Sequence, residues 1–326
     1  MNSITVLKPG AQTQLQDEGR YGWQRFGVPV GGAMDLWSHR VANLLAGNAA
    51  DEATLEILLT GPSLRFDAAA CIALCGADLS AQVGDEPLPM YERIQLPAGA
   101  QLDFGRRVNG LRCYLAVRGG FAVPPVMGSR STFVRGGFGG FQGRALRKGD
   151  VLPIGAGQPA ELPPAVLPED ISVPVPLAAA QAVTPVRMVP GEHAALFAPE
   201  VHALMAQATY QLSPQSDRMG YRLEGPALPR LPGGELISEG VSFGTVQVPP
   251  DGQPIVLMAE RQSAGGYPKI AHVASVDLPL LAQMAPRQAL RFVPVTLAQA
   301  QALHLERERQ LQALRPLLLG PPGAPT

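Results

Sequence analysis

Leu111-Arg112-Cys113-Tyr114-Leu115-Ala116-Val117 is the stretch on which the fold turns. It is apolar and aromatic for most of its length, and Gly119-Gly120 follow closely. That is the length and punctuation of a strand and too short for a helix. Residues 55–59, 71–74, 94–96 and 151–154 have the same character, separated by Gly-Pro, Gly-Asp and Pro-Ala-Gly turns. No helix-sized pattern alternates with these strands, which argues against a doubly wound βαβ sheet. Another strand is predicted over 4–7, closed by Lys8-Pro9-Gly10. A helix is predicted from an Asp35 N-cap to Gly47, with Leu36, Val41, Leu44 and Leu45 approximating one stripe.

Further along, Gln158-Pro159-Ala160-Glu161-Leu162-Pro163-Pro164, then Pro168, Pro174 and Pro176, read as an extended connector. It divides the chain into a lobe over 1–157, a linker over 158–185 and a second strand-rich lobe over 186–295. An amphipathic helix over 296–315, capped by Thr296, and a disordered tail over 316–326 complete the layout. The 326 residues suit two domains, and 36 Gly with 33 Pro suit short strands and turns rather than a helical protein. The expected class is mainly β, two lobes with a few short helices.

Composition removes several functions. With 46% hydrophobic and 16% charged residues the chain has material for real cores, which argues against a chain disordered throughout. A formal net charge of −1, with no basic run interleaved with aromatics, leaves no footprint for nucleic acid. Met1-Asn2-Ser3-Ile4-Thr5 does not open a signal peptide, and no apolar run could span a bilayer, so a cytoplasmic protein without a membrane partner is expected. Cys71, Cys75 and Cys113 contain no CxxC pair, and Cys71 and Cys75 fall on one side of a strand, as buried reduced thiols. The five histidines have no metal-ligand spacing, so no metal is expected. Of them only His272 lies near a segment with other chemistry, whereas His304 belongs to the last helix.

Two motifs invite a catalytic reading. Arg135-Gly136-Gly137-Phe138-Gly139-Gly140-Phe141-Gln142-Gly143 is not a P-loop, because Lys148 comes late and precedes Gly149-Asp150. It remains open to two roles, an anion contact flanked by Arg130, Arg135 and Arg144 or a structural turn. Gly240-Val241-Ser242-Phe243-Gly244 matches the nucleophile-elbow pattern, but the extended run Thr245-Val246-Gln247-Val248-Pro249-Pro250 follows where a helix is needed.

The densest polar segment is 247–269. It reads as a strand, an Asp251-Gly252 turn, the apolar strand 255–259, then Glu260-Arg261-Gln262 and a Gly265-Gly266-Tyr267-Pro268 loop ending at Lys269. Backbone without Cβ atoms at Gly265 and Gly266 lets a small ligand approach, and Gln, Glu, Tyr and Lys offer donors and acceptors. Upstream, Ser216-Asp217-Arg218-Met219-Gly220-Tyr221-Arg222-Leu223 adds two arginines. The competing reading is a charged rim that stabilises turns.

These stretches resemble the KipA / allophanate-hydrolase-subunit-2 family from about residue 3 to 295. Gln16-Asp17-x-Gly19-Arg20, Ala33-Met34-Asp35, Ala42-Asn43-Leu44-Leu45-x-Gly47-Asn48 and Leu55-Glu56-Ile57 are similar to the family's opening signature. Tyr114-Leu115-Ala116-Val117-x-Gly119-Gly120 and Pro124-Pro125-Val126-Met127-Gly128-Ser129-x-Ser131-Thr132 resemble its 5-oxoprolinase branch most closely. The segments 216–223 and 247–269 match its most specific motifs. The chain departs with Glu260-Arg261-Gln262-Ser263 where the family commonly has Asp-Arg-Gln-Thr, and with Gly31 where it often has Ser.

The resemblance implies two cyclophilin-like β-barrel lobes and a chain that works with a KipI-like B subunit and a LamB/YcsF-like A subunit. It implies hydrolysis of 5-oxo-L-proline to L-glutamate with ATP cleavage, with no covalently bound cofactor and an ATP site that no motif locates. Alternatives are carboxyl transfer from carboxybiotin to a urea-like acceptor, or a regulator that binds a KipI-like partner without catalysis. Residue chemistry assigns Glu260 to positioning or deprotonating a nucleophile, Lys269 and Arg218 to stabilising developing negative charge, and Gln247, Gln253, Gln262 and Tyr267 to orienting the ring amide, with Gly265 and Gly266 bare beside it.

Overall fold

The structure is a computed structural model and describes residues 2–155, 162–174, 176, 182–233 and 236–319. It divides into two compact units: Met1–Arg20, Gly31–Val175 and Glu308–Thr326 form the first, Tyr21–Val30 and Pro176–Arg307 the second.

In the first unit the strand Arg112–Val117 sits in the middle of a five-stranded antiparallel sheet ordered Gln12–Gln16, Thr54–Leu58, Arg112–Val117, Ala70–Gly76, Arg93–Leu96. All six of its residues are buried, because both faces are covered. Cys113, Leu115 and Val117 join Ile72 and Leu74 in a core shared with Ile4, Val6, Leu64, Phe66 and Leu102 of a six-stranded sheet. On the other face Tyr114 and Ala116, with Ala73 and Cys75, pack against Trp37, Val41 and Leu45 of helix α1 (Leu36–Ala46). The period of two thus divides each strand between two cores. The barrel expected in this half takes the form of these two sheets around one core.

Helix α1 has the ends its sequence predicts. Asp35 accepts the Ser38 N–H at 2.9 Å, and Gly47 closes the helix at φ +86°. All three cysteines are buried and unpaired.

Two expectations about the connections are corrected. Of the expected linker, residues 162–174 pack on the first unit, where the Arg93 N–H donates to Ala165 O at 2.8 Å, the Leu167 N–H donates to Tyr91 O at 2.9 Å and Leu167 is buried, while residues 183–185 already belong to a strand of the second unit, Val183–Pro190. Proline tolerates this placement beside the strand Arg93–Leu96 because it needs no ladder donor there. The last helix runs Leu297–Leu319, so residues 316–319 of the expected tail are helical, and 320–326 lie outside the described residues. Leu311, Leu314 and Leu318 extend the apolar stripe into a buried cluster, and the Arg93 guanidinium donates to Leu318 O at 2.6 Å. At its start Thr296 and Gln299 form a reciprocal cap: the Thr296 N–H donates to Gln299 Oε1 at 2.9 Å, and the Gln299 N–H to Thr296 Oγ1 at 3.2 Å.

The second unit is a closed seven-stranded barrel. Its order is Val183–Pro190, Lys269–Val273, Thr245–Gln247, Ile255–Leu257, Gly220–Glu224, Tyr210–Leu212, Ala289–Pro294, and the first and last strands pair in parallel to close it. Closure leaves no unpaired sheet edge. A short ribbon of Glu239–Gly240 with Ala264–Gly265 lies outside the ring order.

Candidate functional site

The site begins with a fault in pairing. Thr245 lies opposite His272, Val246 opposite Ala271, and Gln247 opposite Lys269, with a register shift between Val246 and Gln247. Regular pairing would set Ile270 against Gln247 and turn Lys269 to the other side of the sheet from His272. The extra residue at Ile270 is a β-bulge, and it re-aims Lys269 onto the side of His272. Glu192 interacts electrostatically with both His272 and Lys269, as that placement requires.

Around this face charges collect in alternation. Lys269, 2% exposed, donates its ammonium to Glu239 Oε2 at 2.7 Å, while the Glu239 side chain is 53% exposed. The hydrogen bond and charge of Lys269 hold the Glu239 carboxyl below the usual carboxylate range. His193 Nε2 lies 3.7 Å from the same oxygen, and its Nδ1 accepts the Lys269 backbone N–H at 3.2 Å. An Nδ1 that accepts cannot carry a proton, so the ring is the Nε2–H tautomer, turned toward Glu239. Next to it His272 bridges Glu192 Oε2 (2.8 Å) and Thr245 Oγ1 (3.2 Å). Burial pushes the Glu192 carboxyl up, but its own backbone N–H, His272 and Lys269 together bring it below its ordinary value. Gly191 positions this turn: a Cβ there would stand 2.4 Å from Lys269 O, so only glycine admits the close approach.

The ribbon brings the remaining polar groups to Lys269. Glu239 pairs with Gly265, and a Cβ on Gly265 would lie 2.7 Å from Gln247 Nε2 and 3.3 Å from Gln262 Nε2. The bare backbone at Gly265 is thus filled by two carboxamides. Gln247 is buried and donates to Tyr267 O at 3.3 Å. Tyr267 and Gly266 pass on to line a neighbouring groove of about 510 Å³ with Pro249, Pro250, Leu228 and Arg230, a volume suited to a small ligand.

Of the residues expected from sequence, Gln247, Gln262, Gly265, Gly266, Tyr267 and Lys269 therefore come together. Arg218 and Glu260 form a pair of their own: Arg218 Nε donates to Glu260 Oε1 at 2.6 Å, and the Glu260 N–H to Arg218 O at 2.7 Å, both side chains buried. The carboxylate and the guanidinium are already engaged with one another. Gln253 clamps a turn, accepting from the Gly225 N–H and donating to Gly225 O, each at 3.1 Å. Its amide is committed to backbone and not to a ligand.

Sequence reading passed over Glu239, His193 and Glu192. Glu239 immediately precedes the Gly240–Gly244 motif, and Glu192-His193 follow Gly191, but no spacing signals that either reaches Lys269. The glycine-rich segment 135–143 resolves as a structural turn. Cβ atoms at Gly139 and Gly140 would collide with Ser131 O (2.2 Å) and Thr132 Oγ1 (1.9 Å). Arg144 is bidentate on Asp150, and Arg130 faces Glu52. The adjoining motif 129–132 is held by Asp17, whose carboxylate accepts from Ser129 Oγ (2.7 Å) and Ser131 Oγ (2.5 Å). Among the described residues no helix is long and apolar enough to cross a membrane, and no group of three or more His, Cys, Asp or Glu side chains is placed to hold a metal ion.

Comparison with known proteins agrees with this architecture. The family model of the carboxyltransferase domain, subdomain A and B, matches residues 26–294. The 5-oxoprolinase C subunit of Escherichia coli is 38% identical over 95% of this chain and 97% of its own length. That of Haemophilus influenzae is 36% identical over 96% and 97%. The crystal structure of the K. lactis urea amidolyase superposes with a TM-score of 0.89 at 31% identity, covering 96% of this chain but 20% of the larger enzyme, so the chain spans about a fifth of that protein.

Proposed function

Because the chain belongs to the carboxyltransferase-domain family of subdomains A and B, we propose that it is the C subunit of an ATP-dependent 5-oxoprolinase. The observation that carries this reading is the end-to-end match to the corresponding E. coli protein. The complex would act in the cytoplasm with a KipI-like B subunit and a LamB/YcsF-like A subunit, use ATP, and need no covalently bound cofactor on this chain.

The chemistry fits the reactants. Amide resonance makes the lactam carbonyl of 5-oxoproline a poor electrophile, and phosphorylation of its oxygen by ATP would create a leaving group and open the ring to water. Lys269, an ammonium removed from water, would stabilise negative charge on the reacting oxygen where that oxygen takes the place of the half-exposed Glu239 carboxylate it now holds. Gln247 and Gln262, packed on Gly265, would orient the ring amide, while Gly266 and Tyr267 line the groove it enters. Arg218 and Glu260 neutralise one another, so their part is to hold the turn at 258–262.

The test is reconstitution with both partners and assay of ATP-dependent glutamate release from 5-oxoproline. Release should require all three chains, and unchanged release without this one would overturn the proposal. The likeness to urea amidolyase favours one second reading, carboxyl transfer from carboxybiotin to a urea-like acceptor. Loss of activity on adding avidin, with urea as acceptor, would select it.

A further inference from the structure

The Gly240–Gly244 motif fails as a strand-to-helix elbow, yet its serine is wired to a histidine. Ser242 Oγ lies 3.0 Å from Thr245 Oγ1, Thr245 Oγ1 3.2 Å from His272 Nδ1, and His272 Nε2 2.8 Å from Glu192 Oε2. We propose that Ser242 is a nucleophile toward activated acyl compounds, made reactive by a proton relay through Thr245 and His272 to Glu192.

Hydrogen-bond accounting orients the whole chain. An ionised carboxylate only accepts, so His272 Nε2 carries the proton and donates to Glu192. Nδ1 is then an acceptor and takes the Thr245 hydroxyl proton. With that proton committed, Thr245 Oγ1 accepts from the Ser242 hydroxyl and also from the Ser242 N–H at 3.1 Å. Every proton points toward Glu192, and Ser242, exposed on the surface, keeps its lone pairs for a reactant. A turn alone does not account for this. The Ser242–Thr245 turn is closed by the Thr245 N–H donating to Ser242 O at 3.2 Å, with Gly244 at φ +87°. It needs neither His272 nor a carboxylate 80 residues away from that ring in sequence. Thr245 is fully buried, so its hydroxyl is held in a fixed position between the two groups.

In the acyl-transfer step Ser242 Oγ forms a bond to the acyl carbon, and the bond from that carbon to the leaving oxygen breaks. The Ser242 proton passes to Thr245, and the Thr245 proton to His272 Nδ1. The imidazolium that results faces the Glu192 carboxylate, as in other carboxylate-oriented histidine bases. Attack by water then returns the proton along the same path and frees Ser242. Ser242 is the reacting group, and Thr245, His272 and Glu192 are positioning and relay residues. The serine-centred group is independent of the lactam reading and needs no partner chain.

The full chain alone suffices for the test. It is treated with a fluorophosphonate, whose P–F bond breaks as Oγ bonds to phosphorus, and with p-nitrophenyl acetate; adducts are located by peptide mass mapping. The expected result is one adduct per chain on Ser242. Thr245→Val should slow labelling about 100-fold and Thr245→Ser should restore it to within a few-fold, in the range of general-base effects. Glu192→Gln, at a carboxylate whose side chain is 60% exposed, tests the relay without disturbing the core and should slow labelling about 10-fold. No adduct on Ser242 in the folded wild type, or labelling of Glu192→Gln at the wild-type rate, would overturn the proposal.

Discussion

Gly265 and Gly240 are neighbours on one ribbon, and alanine should have opposite effects at the two. A Cβ at Gly265 meets Gln247 Nε2 at 2.7 Å, whereas one at Gly240 meets nothing within 4 Å. Ordinary contact begins near 3.4 Å, so Gln247 would have to withdraw by several tenths of an ångström. It has nowhere to go, being 1% exposed between the strands that carry Lys269 and Ile255. Forced overpacking of this kind costs about 1–3 kcal/mol. Losing the Gln247 bond to Tyr267 O adds about 1 kcal/mol. At Gly240 the only effect left is reduced freedom of the unfolded chain, worth about 0.4–1 kcal/mol in favour of alanine. The two variants should therefore differ by about 3 kcal/mol, read as urea unfolding midpoints followed by circular dichroism at one pH. In the reconstituted complex Gly265→Ala should also raise KM for the lactam at temperatures where it remains folded, and Gly240→Ala should not. Equal unfolding midpoints for the two variants would refute the packing of Gln247 against Gly265 on which the site rests.

Three further outcomes follow from the charges. Burial lowers His39 from 6.5 to about 4, so folding resists its protonation. Its stabilising contribution is complete above pH 6.5 and is lost as the pH falls from there toward 4, a change of about 3 kcal/mol; His39→Gln should flatten that part of the stability profile measured by urea titration. Glu239→Gln leaves the buried Lys269 ammonium without its anion. Because the folded Glu239 carboxyl is lowered, the stability gap from wild type should be present at pH 7 and fade as the pH drops below the ordinary 4.5, measured by thermal unfolding across pH. Burial raises the Cys71, Cys75 and Cys113 thiols, so iodoacetamide at pH 8 should leave the native chain unmodified and label three sites after unfolding, counted by intact mass.

Much of the secondary structure was legible because its causes are local. The run 111–117 became Arg112–Val117, and the helix bounded by Asp35 and Gly47 became Leu36–Ala46, since period-two burial and capping depend on near neighbours. The glycine loop at 265–266 and the buried Lys269 were legible as a polar cluster beside bare backbone. The prolines of 162–174 misled, because an extended strap packed beside a strand and a free linker need the same residues. The tail misled likewise: Pro316 and the glycines after Leu319 resemble an ending, while Leu311, Leu314 and Leu318 continue the buried stripe.

What the sequence by itself determined, then, is a mainly β chain with short strands, one capped helix and a polar segment over 247–269. The tertiary structure alone decided which charges meet there. One inserted residue at Ile270 turns Lys269 to the side of His272, and barrel pairing carries Glu192 and His193 from one end of the unit and Glu239 from the ribbon onto the same face. Strand register is a property of two segments together. A one-residue shift reverses every side chain beyond it, so no local pattern in either segment can state the outcome.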